Sequence, residues 1–348
     1  MIKDLLYRFL SDEKRLNRTR GITADEYRDF QLGTRDAAFR DNFLGVKEQR
    51  VYLNYLNPLK FYILARNKYL SHLLFEQAGI RKAPLYAYYQ PEGAFPPSGD
   101  TAADCAGICA ILRRKGVGRC VLKAVEDSHG ENVYLVDRLV YGDTDARLFL
   151  ASGEEKDLSE LLGDSPKVLE GVVTQTAQFA RFNASSVNTV RFMTALYPDG
   201  EVRIIATFIK IGRAGRWVDN AGDGGNVDVV VDVETGRLSD AILFEGWDKV
   251  RDIAVHPDSG APLNGEVIEH WEAIKAEVKD FQRAFPYCKI AAWDIAVTDE
   301  GPVAIEVNDF WDRTGQLFIR RGWRNEVRDC YEAWKQTGRH YIFGRKFR

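Results

Sequence analysis

Three oxygen-bearing side chains stand in apolar surroundings late in the sequence. Asp294 interrupts the run Ala291–Val297, while Glu306 and Asn308 interrupt Val303–Val307 and its end. Between them lies Thr298-Asp299-Glu300-Gly301, a turn sequence. If Asp299-Glu300-Gly301 forms a three-residue loop with Gly301 in the left-handed region, Thr298 pairs with Pro302, and counting outward sets Asp294 opposite Glu306. Alternation then puts Ala292, Asp294 and Ala296 on one face with Ala304, Glu306 and Asn308. The other face, Trp293, Ile295 and Val297 with Val303, Ile305 and Val307, is wholly apolar. Opposed Cβ atoms lie about 4.5–5.5 Å apart, so two bare carboxylates there repel. A hard divalent cation relieves the repulsion, and Mg²⁺ binds through one or two carboxylates together with phosphate oxygens. The wet face of an edge hairpin and a glycosidase-type acid pair are the alternatives. The amide of Asn308 suits metal–phosphate coordination better than the latter. A loop of two or four residues would reverse the parity and separate the carboxylates.

A metal–phosphate site also needs cations and backbone donors. Lys123 ends a strand pattern, Val121-Leu122-Lys123-Ala124, just before a loop, Ser128–Asn132, that contains Gly130. A lysine there can neutralise phosphates while loop N–H groups cover them, and it can equally be a surface lysine. Lys68, at a helix start after Asn67, poses the same choice. Arg191 alternates with Val190 and Phe192 and so lies on the less apolar face of its strand, either as an ion-pair partner or as a phosphate clamp. The segment 210–231 is Gly-rich, with Asn220, Gly224, Gly225 and Asn226 between strand patterns. It could cradle a phosphoryl or carboxyl group, or form an ordinary long loop. His256, in His256-Pro257-Asp258-Ser259-Gly260, reads as part of a turn. No Ser/His/Asp or Cys nucleophile constellation has recognisable spacing.

These residues need elements to hold them. Residues 1–60 read as an amphipathic helical region, followed by a helix from Asn67, a natural N-cap, to Gly79, a natural stop. Residues 83–89, 119–125, 133–141 and 167–175 are strand patterns, with a helix over 101–116. After residue 175, strand patterns dominate: 188–197, 201–211, 226–236, 290–297 and 302–307. One helix, 266–285, precedes the last hairpin, and a basic helical tail follows. The fold class is α+β, organised as an N-terminal helical region (1–60), a small lobe (61–174) and a larger antiparallel-sheet lobe (175–348).

The chain has 348 residues, 45% hydrophobic and 28% charged, with a formal net charge of -3. That balance argues against a general nucleic-acid binder. No apolar run approaches the roughly 20 residues of a membrane span. The first twenty residues carry charges throughout, without the apolar core of a leader. Five scattered cysteines do not make a disulfide framework, and Cys105 and Cys109, at helical spacing, read as core residues. The sequence therefore reads as cytoplasmic. From Arg313 to Arg348 ten Lys/Arg face three Asp/Glu, either a solvated helical surface or a surface drawn to an anionic substrate or membrane.

The order of these motifs carries a resemblance: Asn67-Lys68, Lys123, the Gly130 loop, Glu170-Gly171-Val172-Val173, Asn188-Thr189-Val190-Arg191, the Asn220–Asn226 stretch, then Asp294, Glu306 and Asn308. It resembles the ATP-grasp superfamily over residues 60–320, and most closely its sugar-transfer-associated branch, related to α-L-glutamate ligases. The resemblance implies an ATP-grasp fold, two α+β lobes clamping ATP, with ATP and Mg²⁺ (or Mn²⁺) as cofactors. It implies that Asp294, Glu306 and Asn308 hold the metal, that Lys68 and Lys123 contact phosphates, that Ser128, Gly130 and Asn132 cover them, and that Glu170, Val172 and Val173 meet adenine. Arg191 and Lys210 become the catalytic candidates, and Asn220, Gly224, Gly225 and Asn226 the substrate-binding ones. Many carboxylate–amine ligases carry an arginine two residues before the metal aspartate. Here that residue is Ala292, and Arg191 is the candidate to replace its charge. The expected activity is carboxylate–amine ligation through an acyl phosphate, on small, sugar-linked or amino-acid substrates in polysaccharide or related biosynthesis. The rivals are an ATP-grasp kinase acting on a hydroxyl and a non-catalytic nucleotide-binding module.

Overall fold

The computed structural model describes residues 11–93, 100–126, 132–217, 225–247 and 249–338. Its strands are β1 (Leu85–Tyr89), β2 (Thr101–Ala102), β3 (Cys120–Ala124), β4 (Val133–Tyr141), β5 (Ala146–Leu150), β6 (Glu155–Asp157), β7 (Lys167–Glu170), β8 (Thr189–Leu196), β9 (Val202–Ile211), β10 (Asn226–Val231), β11 (Leu238–Phe244), β12 (Val250–Ile253), β13 (Ile290–Thr298) and β14 (Gly301–Asn308). They form two seven-stranded sheets, ordered β2-β1-β7-β3-β4-β5-β6 and β12-β11-β10-β9-β8-β13-β14. The second is antiparallel throughout, as each of its pairings shows.

Alternation decides which face of the second sheet is core. Val190 and Phe192 of β8, Ile209 and Ile211 of β9, and Val227 and Val229 of β10 turn to one side and pack with Ile274, Val278 and Phe281 of the helix Trp271–Ala284. That helix starts five residues later than its sequence pattern predicts. Glu266 and Val267 are taken by the sheet edge, where Leu238 N–H donates to Glu266 O and Val267 bridges Arg237. The opposite face carries Arg191, Met193 and Ala195. Two helices, Val46–Leu56 and Arg324–Gln336, cover its Met193–Ala195 end. The N-terminal helices cover another part through Phe30, Phe39 and Phe43, which pack near Phe208 and Phe318. The charged middle of that face stays open.

The helix Lys68–Ala78 has the predicted ends: the Asn67 side chain accepts from Leu70 N–H at 3.0 Å, and Gly79 takes φ +69°. Elsewhere the boundaries shift. Thr101 and Ala102, read as helix, instead pair in parallel with Tyr88 and Tyr89, and the helix Cys105–Arg114 begins after Asp104 caps Gly107 N–H. β7 stops at Glu170 because Gly171 turns to donate to Pro84 O, with Pro84 pressed against its α-carbon side. β11 and β12 were not legible as strands. Cys105 and Cys109 do pack into the small sheet's core, though with their sulfurs near the Asp145 carboxylate.

Candidate active site

The last hairpin sets Asp294 opposite Glu306, and Ala292 opposite Asn308, as the register argument predicts. It does so by a different route. The turn holds only Asp299 and Glu300, with Thr298 paired to Gly301, which alone would have put the carboxylates out of step. A bulge between the pairs Ile295–Ala304 and Asp294–Glu306 adds one residue to β14 and restores the register. One consequence is that Ala304, rather than Val303, joins the core on the apolar face.

Antiparallel pairing with β8 puts Arg191 beside Asp294, and pairing of β9 with β8 puts Lys210 beside Thr189 on the same face. The Arg191 guanidinium grips Asp294 with two hydrogen bonds, Nε–Oδ1 2.5 Å and Nη2–Oδ2 2.9 Å, and Lys210 Nζ adds a third at 3.0 Å. Asp294 is 2% exposed. Burial alone would raise its pKa, but Arg191 and then Lys210 outweigh burial and hold it well below the usual range. Glu306 sits deep in the cleft with its surface open to the cavity, and Asn308 Nδ2 donates to its Oε1 at 3.0 Å. Its pKa is pushed up, first by its depth in the protein and then by Asp294. Arg66 makes a bidentate pair with Asp309 at 2.8 and 3.0 Å, bracing the end of β14.

The facing wall belongs to the first sheet. Lys123 Nζ binds Glu170 Oε2 at 2.7 Å, and Lys68 N–H donates to Val125 O, placing the helix start beside the end of β3. Against its burial, Glu170 is held below the usual carboxylate range, first by Lys123. His72, one turn after Lys68, is buried, with Nε2 3.8 Å from Glu170 Oε1 and, among the described residues, no hydrogen-bond partner for that nitrogen. Burial pushes its pKa down to about 4, so the ring is neutral at physiological pH.

A cavity of 1310 Å³ joins the two walls. Its lining includes Lys68, Lys123, Glu170, Val172, Val173, Arg191, Lys210, Asp294, Glu306 and Asn308. Further polar residues that the sequence reading passed over also line it, among them His72 and Asp228. Asp228, 1% exposed and cross-strand from Lys210, interrupts an apolar strand as Glu306 does, and that signal could have found it. His72 is signalled by its spacing of four from Lys68, which sets both on one helix side. Ser128, Gly130, Asn220 and Gly224 lie outside the described residues. Asn132 has left-handed backbone (φ 52°) just before β4, Gly225 (φ +91°) sits against Glu245 and Leu243, and Asn226 opens β10.

The segments flanking the Gly-rich stretch are structural braces. Buried Asn188 binds Gln175, Phe179 O and Asn183 O, and accepts from Gly212 N–H. His256 Nε2 meets Gly212 O at 3.1 Å, and Arg213 grips Asp258 with two bonds of 2.8 Å. From the same loop the Trp217 indole crosses to the other sheet and donates to Val133 O at 2.8 Å.

Residues 47–330 match the model of the sugar-transfer associated ATP-grasp family. No curated protein sequence matches the chain. Among solved structures, phosphoribosylamine–glycine ligase from Thermotoga maritima is similar at 13% identity and TM-score 0.46, covering 84% of this chain and 61% of that one. Biotin carboxylase from Campylobacter jejuni is similar at 10% identity and TM-score 0.45, covering 78% and 46% respectively. D-alanine–D-alanine ligase from Helicobacter pylori is similar at 10% identity and TM-score 0.41, covering 81% and 61%. The chain thus spans about half to three fifths of the length of these structures. No helix among the described residues is long and apolar enough to cross a membrane. The family match extends over both sheets and every charged residue of the cavity, and the chain belongs to the sugar-transfer associated ATP-grasp family.

Proposed function

We propose that this protein is an ATP- and Mg²⁺-dependent ligase joining a carboxylate to an amine. The observation that carries the reading is one cavity with Lys68, Lys123 and Glu170 on one wall and Asp294, Glu306, Asn308, Arg191 and Lys210 on the other. The donor set fits Mg²⁺. It offers two carboxylates and an amide oxygen, with Glu306 open to the cavity and under like-charge stress from Asp294 that a divalent cation relieves. When bound, the ion supplies neutralisation between these carboxylates and the phosphates of ATP.

The chain's own residues do the rest by position and charge. Lys68 and Lys123 neutralise phosphates, and Glu170, Val172 and Val173 line the adenine end. An oxygen of the substrate carboxylate attacks the γ-phosphorus, the bond to the bridging oxygen breaks, and ADP leaves. Arg191 and Lys210, already directed at Asp294, stabilise the acyl phosphate and the tetrahedral species formed when the amine nitrogen attacks the acyl carbon. The carbon–oxygen bond then breaks, inorganic phosphate departs, and the nitrogen yields its proton to solvent. The sheets at 61–174 and 175–348 act as the two clamping lobes, with residues 1–60 as a brace. The family description supports a building block of polysaccharide or related small-molecule biosynthesis as substrate, and a cytoplasmic setting suits the use of ATP.

Screening ADP release over pairs of carboxylates and amines tests this. Release is expected to require both partners and Mg²⁺, and to fall about 10²–10³-fold or more in Asp294→Asn and Glu306→Gln. Parental turnover in both variants would remove the metal assignment. Release that needs a hydroxyl compound and no amine would identify a kinase instead.

A further inference from the structure

The cavity extends past the charged stripe along an aromatic wall. Phe208 of β9 is the cross-strand partner of Arg191, so the wall begins beside the proposed catalytic arginine. From there rings follow in edge contact: Phe208 to Phe318 at 5.5 Å, Phe318 to Phe244 at 5.8 Å, and Phe244 to Trp247 at 5.5 Å. Phe30 of the N-terminal region backs Trp247 at 5.1 Å. Phe208 and Phe318 are buried, while Trp247 at the far end is 40% exposed, and all four sheet-side rings line the cavity. At 1310 Å³ the cavity also exceeds the roughly 300–1,000 Å³ of an ordinary single-ligand pocket, leaving room beyond a nucleotide.

We propose that this arm is the subsite for the carboxylate substrate, and that this substrate is a cyclic acid whose ring has an apolar face. The inference rests on the ligase reading and narrows it. A carboxylate awaiting phosphorylation belongs against Arg191 and Lys210, and a molecule held there extends its body over Phe208 toward Trp247. Rigid aromatic faces favour flat apolar partners, either an aromatic ring or the C–H face of a pyranose, and give little to a flexible acyclic chain.

The test is calorimetric titration of the full chain with Mg²⁺ and ADP present, using three probes: glucuronate, 3-phenylpropionate and the ring-free hexanoate. Either ring acid is expected to bind about tenfold or more tightly than hexanoate, and the stronger of the two identifies the kind of ring. Trp247→Ala is expected to remove that preference while leaving ADP affinity unchanged, and Trp247→Phe to retain most of it. Equal binding of hexanoate, an unchanged preference in Trp247→Ala, or no ring acid binding below ~10 mM would overturn the proposal. Turnover of acyclic acids alone would overturn it while leaving the ligase reading intact. Failure to bind nucleotide would strike the ligase reading itself, and ring-acid preference in that case would still support the arm as a carboxylate subsite.

Discussion

Asp294 and Glu306 face each other across β13 and β14 in opposite electrostatic states. Asp294 is buried and held ionised by Arg191 and Lys210, whereas Glu306 opens to the cavity and is pushed toward its protonated form by depth and by Asp294. The two strands thus separate a carboxylate already matched with cations from one whose charge awaits a partner.

Arg191 should be irreplaceable for two different reasons. Arg191→Lys keeps a charge but loses the bidentate grip on Asp294, so kcat is expected to drop about 10–100-fold with little change in Tm. Arg191→Met leaves Asp294 to Lys210 alone and should destabilise the fold by about 3–5 kcal/mol. Paired turnover and thermal-melt measurements separate the effects. Equal turnover in Arg191→Lys would remove the residue from the chemistry.

His72 should print a pH signature on stability. Its folded pKa of about 4 lies below the ordinary histidine value of 6.5, so between those values the unfolded chain holds a proton that the folded chain lacks. Stability present above pH 6.5 is therefore lost as pH falls toward 4, by about 3 kcal/mol in total. The groups around the ring are Glu170, Lys82, Lys123 and Glu76, and burial dominates all of them. Denaturant melts at pH 7 and pH 4 should show a smaller loss in His72→Gln than in the parent. Identical losses would mean the imidazole is protonated in place.

Gly322 sets how the N-terminal region docks. A Cβ there would meet Asn42 O at 2.1 Å and Phe43 N at 2.5 Å, both backbone atoms that cannot swing away. Gly322→Ala is expected to cost about 1–3 kcal/mol and to speed proteolysis within residues 11–46. A parental digestion pattern would show that this contact is dispensable.

The elements with local punctuation were legible in sequence. Asn67 and Gly79 bound their helix because capping and left-handed termination are local, and Arg191 faces the cavity because its neighbours Val190 and Phe192 turn to the core. What escaped depends on distant partners. β12 is four residues of Val250-Arg251-Asp252-Ile253, a polar edge that is a strand only because β11 lies beside it. Asp228 carried the same local signal as Glu306, a carboxylate within an apolar strand, but its place beside Lys210 depends on the pairing of β10 with β9. The aromatic wall is assembled from β9, β11 and the helix Gly315–Phe318, far apart in sequence.

Trp217 should affect nucleotide handling without touching the charged stripe. Trp217→Phe removes the bond to Val133 O, worth about 1 kcal/mol, and leaves the ring. The expected result is a rise of about fivefold in KM for ATP with kcat within about twofold. An unchanged KM would show that the crossing contact is incidental.

The β14 bulge makes the hairpin's phase a sum of two separable parts, a short turn and one inserted residue. Without the bulge, a two-residue turn would bring Ile305 opposite Asp294, whereas a three-residue turn would bring Glu306 there at the same length. Deleting Ile305 should therefore leave Glu306 opposite Asp294, because Glu306 then follows Ala304 directly and the strands pair regularly. Related chains that lack the bulge residue, or that exchange the bulge for a longer turn, then keep the same carboxylate pair, and the bulge shows where a one-residue gap in β14 is tolerated.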